Sequence, residues 1–169
     1  MNILFVVSQH QDWPVDIPGV TVIPATTYLM DPACGDGGST KVINLCTTYR
    51  YQNDGYYVSL LAEARGHQPT PDIETIRDLQ SSDLVRMLGE QIGELIDCSL
   101  SREADDFIDL HICFGRDLHE RHTHLCMQIF RLLQTPFLHA RFERADRRWH
   151  LCGIYPGSVR GVPELMHRL

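Results

Sequence analysis

Lysine is almost missing from this sequence: of its fifteen basic residues only Lys41 is a lysine, and the other fourteen are arginines. A site that clamps a triphosphate with two lysines is therefore excluded for this chain alone. A basic excess is missing as well, because the formal net charge is −7. Nucleic-acid binding needs a basic face or stripe. The nearest approach is Arg141, Arg144, Arg147 and Arg148, broken by Glu143 and Asp146, which reads as a solvated hairpin tip. No apolar run reaches the roughly 18 residues of a membrane-spanning helix. No basic leader precedes the first apolar run, so the expected location is the cytoplasm. None of the six cysteines forms a CxxC pair. Cys46, Cys98, Cys113 and Cys126 fall in apolar periodic segments, where a thiol acts as a small hydrophobe. Free thiols and a reducing compartment follow as expectations.

What is present is the make-up of an ordinary folded protein. Hydrophobic residues are 43% and charged residues 22% of 169, enough to bury a core without disulfides or metal staples. Residues 2–8, 20–25, 41–47 and 107–114 are short, apolar and rich in β-branched side chains, which predicts strands. Helices are predicted over 55–65 and 82–100, with Tyr57, Leu60, Leu61 and Ala64 on one face of the first. Leu84, Leu88, Ile92, Leu95 and Ile96 form the stripe of the second. Gly66 is placed to end the first helix, and Ser82 to cap the second. Asp117 and Glu120 have capping-box spacing before a third helix that carries Leu118, His122, Leu125, Ile129, Leu132 and Leu133 inward. Residues 137–144 and 148–154 predict a hairpin. The expected fold is α/β, a mixed and mostly parallel sheet with helices on both faces and a C-terminal β-hairpin. One domain is expected over 1–161, and 162–169 read as a truncated helix or linker. Its apolar residues Val162, Leu165, Met166 and Leu169 make a homo-oligomer an expectation.

Three motifs carry less chemistry than they suggest. Cys34 to Lys41 (CGDGGSTK) looks like a phosphate loop, but its order is Ser-Thr-Lys and a strand follows, whereas that loop needs Gly-Lys-Ser/Thr opening a helix. His119, His122 and His124 (HERHTH) lack the HExxH spacing, and helical periodicity spreads them over different faces, so no metal site is expected. No G-x-S-x-G elbow is present, and no cysteine is placed at an exposed turn beside a base, so no catalytic residue is assigned.

The richest segment is Thr47 to Gly66, where a strand runs through a polar, aromatic turn into a helix. In open α/β sheets ligands bind beyond the carboxyl ends of strands. Arg50 offers a planar clamp for a carboxylate or phosphate, Gln52 hydrogen bonds, and Tyr49, Tyr51 and Tyr56 flat faces and hydroxyls. Arg50, Tyr51, Gln52, Gly55 and Tyr56 are the candidate substrate-binding residues. The competing reading packs the tyrosines on the sheet and pairs Arg50 with an acid such as Asp54.

The same segment carries a family resemblance. KVINLC (41–46), YRYQ (49–52) and GYYVSLLAEARGH (55–67) resemble the N-terminal domain that precedes the catalytic region in RimK-like ATP-grasp proteins. SQHQDWP (8–14), ATTYLMDP (25–32), PFLHARFER (136–144) and Trp149 support it, and together they cover most of the chain. The resemblance implies a Rossmann-like pre-ATP-grasp unit and, for the parent protein, an ATP- and magnesium-dependent carboxylate–amine ligase, glutamate ligase-like. None of that machinery maps onto these residues, so no cofactor is expected in this chain and no turnover from it alone. The implied partners are an ATP-grasp catalytic domain in the same parent chain and a small amino-acid or peptide-like substrate. The alternative is a stand-alone structural or oligomerisation module, or a small-anion-binding protein.

Overall fold

The computed structural model describes residues 2–13, 16–35, 39–117 and 119–157. They divide into two compact units, one up to Ile76 and one over Arg77–Gly157. Each unit holds one four-stranded sheet, the first parallel and the second antiparallel. The α/β class, the parallel strands and the C-terminal hairpin are thus all present, with the strands shared between two sheets.

The first unit is built from β1 (Asn2–Val7), β2 (Val20–Pro24), α1 (Ala25–Met30), β3 (Thr40–Leu45), α2 (Asp54–Ala64) and β4 (Gln68–Thr70), and α3 (Ile73–Asp78) begins in it. Strand order is β2-β1-β3-β4. Both faces of the central strands are buried, which is why they read as continuous apolar runs. Leu4, Val6, Val42 and Cys46 pack with Ala25 and Tyr28 of α1 and Val58 and Ala62 of α2. On the opposite face Phe5, Val7, Ile43 and Leu45 are buried, and Trp13 meets Phe5 edge-on at 5.0 Å. That placement fits right-handed crossovers, since the β1–β2 connection runs opposite in direction to the other two.

Two expectations shift here. Residues 25–30 form α1, where the β-branched pair Thr26-Thr27 hid a short helix. The buried face of α2 is Gly55, Val58, Ser59 and Ala62, while Tyr57 and Leu60 are exposed. Small residues win this face because the helix lies close on the sheet, and the buried Ser59 hydroxyl is satisfied by Asn44 and the Pro71 carbonyl. Gly66 ends the helix as expected, at φ +73°.

The second unit contains α4 (Ser82–Leu100), β5 (Phe107–Cys113), β6 (Arg116–Asp117), α5 (Thr123–Leu133), β7 (Phe137–Ala145) and β8 (Arg148–Pro156), in sheet order β6-β5-β7-β8. Leu88, Ile92, Ile96 and Leu100 of α4 and Leu125, Ile129 and Leu133 of α5 pack on Leu110, Ile112, Leu138, Ala140, Phe142 and Ile154. Ser81, one residue before the expected cap, accepts from the Asp83 N–H. The third helix starts later than its capping box suggested. Arg116 and Asp117 pair with β5 instead, and the Asp117 carboxylate accepts from the Arg121 N–H. Asp146 and Arg147 both have positive φ, as a tight type I′ hairpin requires. The expectation for 162–169 lies outside the described residues.

Candidate functional site

The neighbouring strands β1 and β3 send their connections in opposite directions, β1 towards β2 and β3 towards β4. This is a topological switch point, and in open α/β sheets ligands bind at such a point, beyond the carboxyl ends of the two strands. Ser8 follows β1 and Thr47 follows shortly after β3. The Thr47 N–H donates to Ser8 Oγ at 3.0 Å, and the two hydroxyls lie 3.3 Å apart. The two loops are joined at their roots by this contact. Gln9, His10 and Gln11 stand exposed on the β1 side.

The loop after β3 is shaped by a buried polar node. Asn44 is fully buried, and its Nδ2 donates to the Gly55 carbonyl at 2.7 Å and to Ser59 Oγ at 2.9 Å. Its Oδ1 accepts from the Cys46 N–H. Tyr49 lies beneath the loop and donates its hydroxyl to the Asn44 carbonyl at 2.7 Å. Burial pushes the Tyr49 phenol well above its ordinary range, so it stays a donor. Asn44 thus ties strand to helix, and Tyr49 plugs the turn.

Above this plug the backbone turns through Gln52 at φ +70°. Arg50, Tyr51 and Gln52 are exposed, and Tyr51 is 65% exposed. Arg50 makes no ion pair among the described residues, so the pairing with Asp54 does not form. Tyr51 meets Tyr56 edge-on at 5.4 Å, and Tyr56 is half-buried against the core. Gly55 is buried, and its place is structural: a Cβ there would strike the Thr48 carbonyl and approach Cys46 Cβ to 2.8 Å. Asn53 caps α2 without a side-chain hydrogen bond, and Asp54 occupies the first turn. Of the five candidates, Arg50, Tyr51 and Gln52 form an exposed polar rim, Tyr56 supports it, and Gly55 lets it form.

The other sequence candidates separate cleanly. Lys41 is the second residue of β3, towards the amino end of the strand and away from the Arg50 loop. His119 and His124 are exposed, whereas His122 is buried with Nε2 at 3.1 Å from Glu103. All six cysteines are free, and Cys98 is exposed rather than apolar-packed. Burial pushes the thiols of Cys46, Cys113 and Cys126 up to about 12, which leaves them unreactive near neutrality. Sequence reasoning missed a second group, Asp109, His111 and His139, which strand pairing brings together on the antiparallel sheet. The readable signal was the i, i+2 spacing in DLH (109–111) and in HAR (139–141), once those runs were taken as strands.

A parallel sheet with a central switch point, a polar loop leading from strand to helix, and a second, antiparallel sheet define an α/β protein. The chain matches the family model of the RimK-like ATP-grasp N-terminal domain over residues 25–169, and it belongs to that family. Strand β3, the Arg50 loop and the whole second unit lie inside the match, while β1 and β2 precede it. A search of curated proteins finds no match. Among the described residues no helix is long and apolar enough to cross a membrane.

Proposed function

We propose that this chain is an accessory domain of a RimK-like ATP-grasp ligase, a carboxylate–amine ligase in the parent protein, and that its β1/β3 switch point holds the anionic end of a small amino-acid or peptide-like substrate. The observation that carries this is Arg50, exposed and without an ion pair among the described residues, on the loop that leaves β3 at the switch point. Ser8 and Thr47 at the two strand ends and Gln52 on the same loop offer donors and acceptors, and the exposed Tyr51 ring adds flat surface. The Asp54 carboxylate sits on the first turn of α2, so an incoming anion relies on Arg50 more than on the helix end. In this reading no triphosphate is held by this chain, since its single lysine lies at the other end of its strand from Arg50. ATP and magnesium therefore belong, in this reading, to an ATP-grasp region that shares the substrate. The free thiols favour a cytoplasmic setting.

The reading is tested by titrating L-glutamate into the 15N-labelled chain. Amide shifts are expected at Ser8 and over Thr47–Gly55. Arg50→Ala is expected to weaken binding tenfold or more, about 1.5–3 kcal/mol for a charged hydrogen-bonding partner, with the melting temperature unchanged. Shifts confined to other parts of the chain, or an Arg50→Ala protein that binds as the wild type does, overturn the assignment.

A further inference from the structure

The antiparallel sheet has one face covered by α4 and α5, and its other face carries a polar cluster that the ligase reading does not use. Successive residues of a strand point to opposite faces, so Asp109 and His111 of β5 share the face away from the helices. In β7, His139 stands directly opposite His111, and Arg141 directly opposite Asp109. The His111 and His139 ring centroids are 4.2 Å apart, and Asp109 Oδ1 is 3.8 Å from His139 Nδ1. One potential ligand atom from each of the three residues lies within 4.8 Å of the others.

We propose that Asp109, His111 and His139 form a binding site for a divalent cation of the zinc class.

Four observations support it. Bonds of about 2.0–2.1 Å at tetrahedral angles put ligand atoms roughly 3.3 Å apart. Small side-chain rotations reach that spacing from the present one, and the paired strands stay where they are. Secondly, the Asp109 carboxylate is half used. Its Oδ2 accepts from Arg141 Nε at 3.0 Å, while Oδ1 is shielded from solvent with no hydrogen-bond partner among the described residues. A shielded carboxylate oxygen left unpaired is costly, and a cation beside it removes that cost. Thirdly, the carboxylate is held from behind. Arg141 lies over the Tyr155 ring at 5.3 Å, and its grip on Oδ2 leaves Oδ1 facing His139. Metal-binding carboxylates are commonly oriented by such outer partners. Arg141 is a positioning residue here. Its charge opposes that of the cation, so the site relies on the nitrogen and oxygen donors more than on net charge. Finally, two imidazoles and one carboxylate suit zinc, cobalt or iron(II), whereas magnesium selects oxygen donors and keeps its water. His111 is exposed, so a coordination position faces solvent.

The test is a zinc titration of the full 169-residue chain with its thiols reduced, followed by cobalt(II) substitution for its visible spectrum. One equivalent is expected to bind, with the imidazole nitrogen resonances of His111 and His139 shifting and those of His119 and His124 unmoved. His111→Gln alters an exposed side chain and keeps the fold. It is expected to lower affinity by at least the roughly 10–100-fold that loss of an outer partner costs, and Asp109→Asn to do the same. Cys152→Ser and the pair His119→Ala/His124→Ala are expected to bind as the wild type does, and excess magnesium not to compete. The proposal is overturned if zinc fails to bind in large excess. It is equally overturned if one equivalent survives His111→Gln with Asp109→Asn, or is lost with Cys152→Ser or with the His119/His124 pair.

Discussion

Neighbouring residues of one loop meet opposite fates in this protein. Tyr49 is buried and donates to the Asn44 carbonyl, and Arg50 beside it is exposed with no ion pair among the described residues. Histidines divide in the same way. His119 and His124 face water, while His122 is 8% exposed and meets Glu103 at 3.1 Å through Nε2. Its Nδ1 is buried without a hydrogen-bond partner among the described residues. The apolar stripe that contained His122 in the sequence thus ends in a polar anchor, which holds the turn before α5 to the segment that follows α4. Removing one member of a largely buried polar pair costs about 1–3 kcal/mol, because the other loses its partner. His122→Ala is therefore expected to lower unfolding stability by that amount in urea denaturation. His119→Ala, on the exposed surface, is expected to change it by less than about 0.5 kcal/mol. Equal effects from the two substitutions would remove the anchoring role.

At the scale of elements, close approach decides more than hydrophobicity does. The face of α2 that meets the sheet is made of Gly55, Val58, Ser59 and Ala62, and its larger residues Tyr57 and Leu60 stand outside. Gly55 lies where Asn44 grips its carbonyl and where a Cβ would strike the Thr48 backbone. Gly66 differs: its φ is +73° and it has open space around it. Gly66→Ala is expected to cost about 1–2 kcal/mol from backbone strain alone. Gly55→Ala is expected to cost more, at the upper end of the roughly 1–3 kcal/mol of overpacking or beyond, since backbone must move. Urea denaturation of both variants checks the order, and a Gly55→Ala loss no larger than that of Gly66→Ala would contradict it. The same contrast explains what the sequence made legible. β1, β3, α4 and the β7–β8 hairpin could be read from it because their apolar periodicity is local. The face of α2 could not, because it follows from how near the helix sits to the sheet. The Arg50 loop was legible as a polar break between strand and helix. Its facing partner, Ser8, was not, since the adjacency of β1 and β3 is a property of strand order. Asp109 and His139 are thirty residues apart in sequence and meet only through the β5–β7 register.

Over the whole molecule, the scarcity of lysine returns as a constraint on pH behaviour. Lys41 is the single lysine, and the fourteen arginines keep their charge at any pH at which the protein is handled. Loss of lysine charge therefore contributes little to alkaline stability here. The groups that matter are the buried acids of high pKa. Cys46 in the first unit and Cys113 and Cys126 in the second are each pushed by burial from an ordinary 9 up to about 12. Burial raises the Tyr49 phenol in the same direction. Below pH 9 each thiol is protonated both folded and unfolded, and it makes no demand on the fold. Between pH 9 and about 12 the unfolded chain releases protons that the fold retains, so stability falls as pH rises. Each such thiol lowers the stability by up to about 1.4 kcal/mol per pH unit in that window. Urea denaturation is expected to give a constant unfolding free energy from pH 7 to 8.5 and a steep decline above 9. Cys46→Ala loses some stability at pH 7 through its small cavity, yet its alkaline decline is expected to be shallower than that of the wild type. A parallel decline in the variant, or a stability that holds through pH 11, would show that these thiols ionise without unfolding the chain.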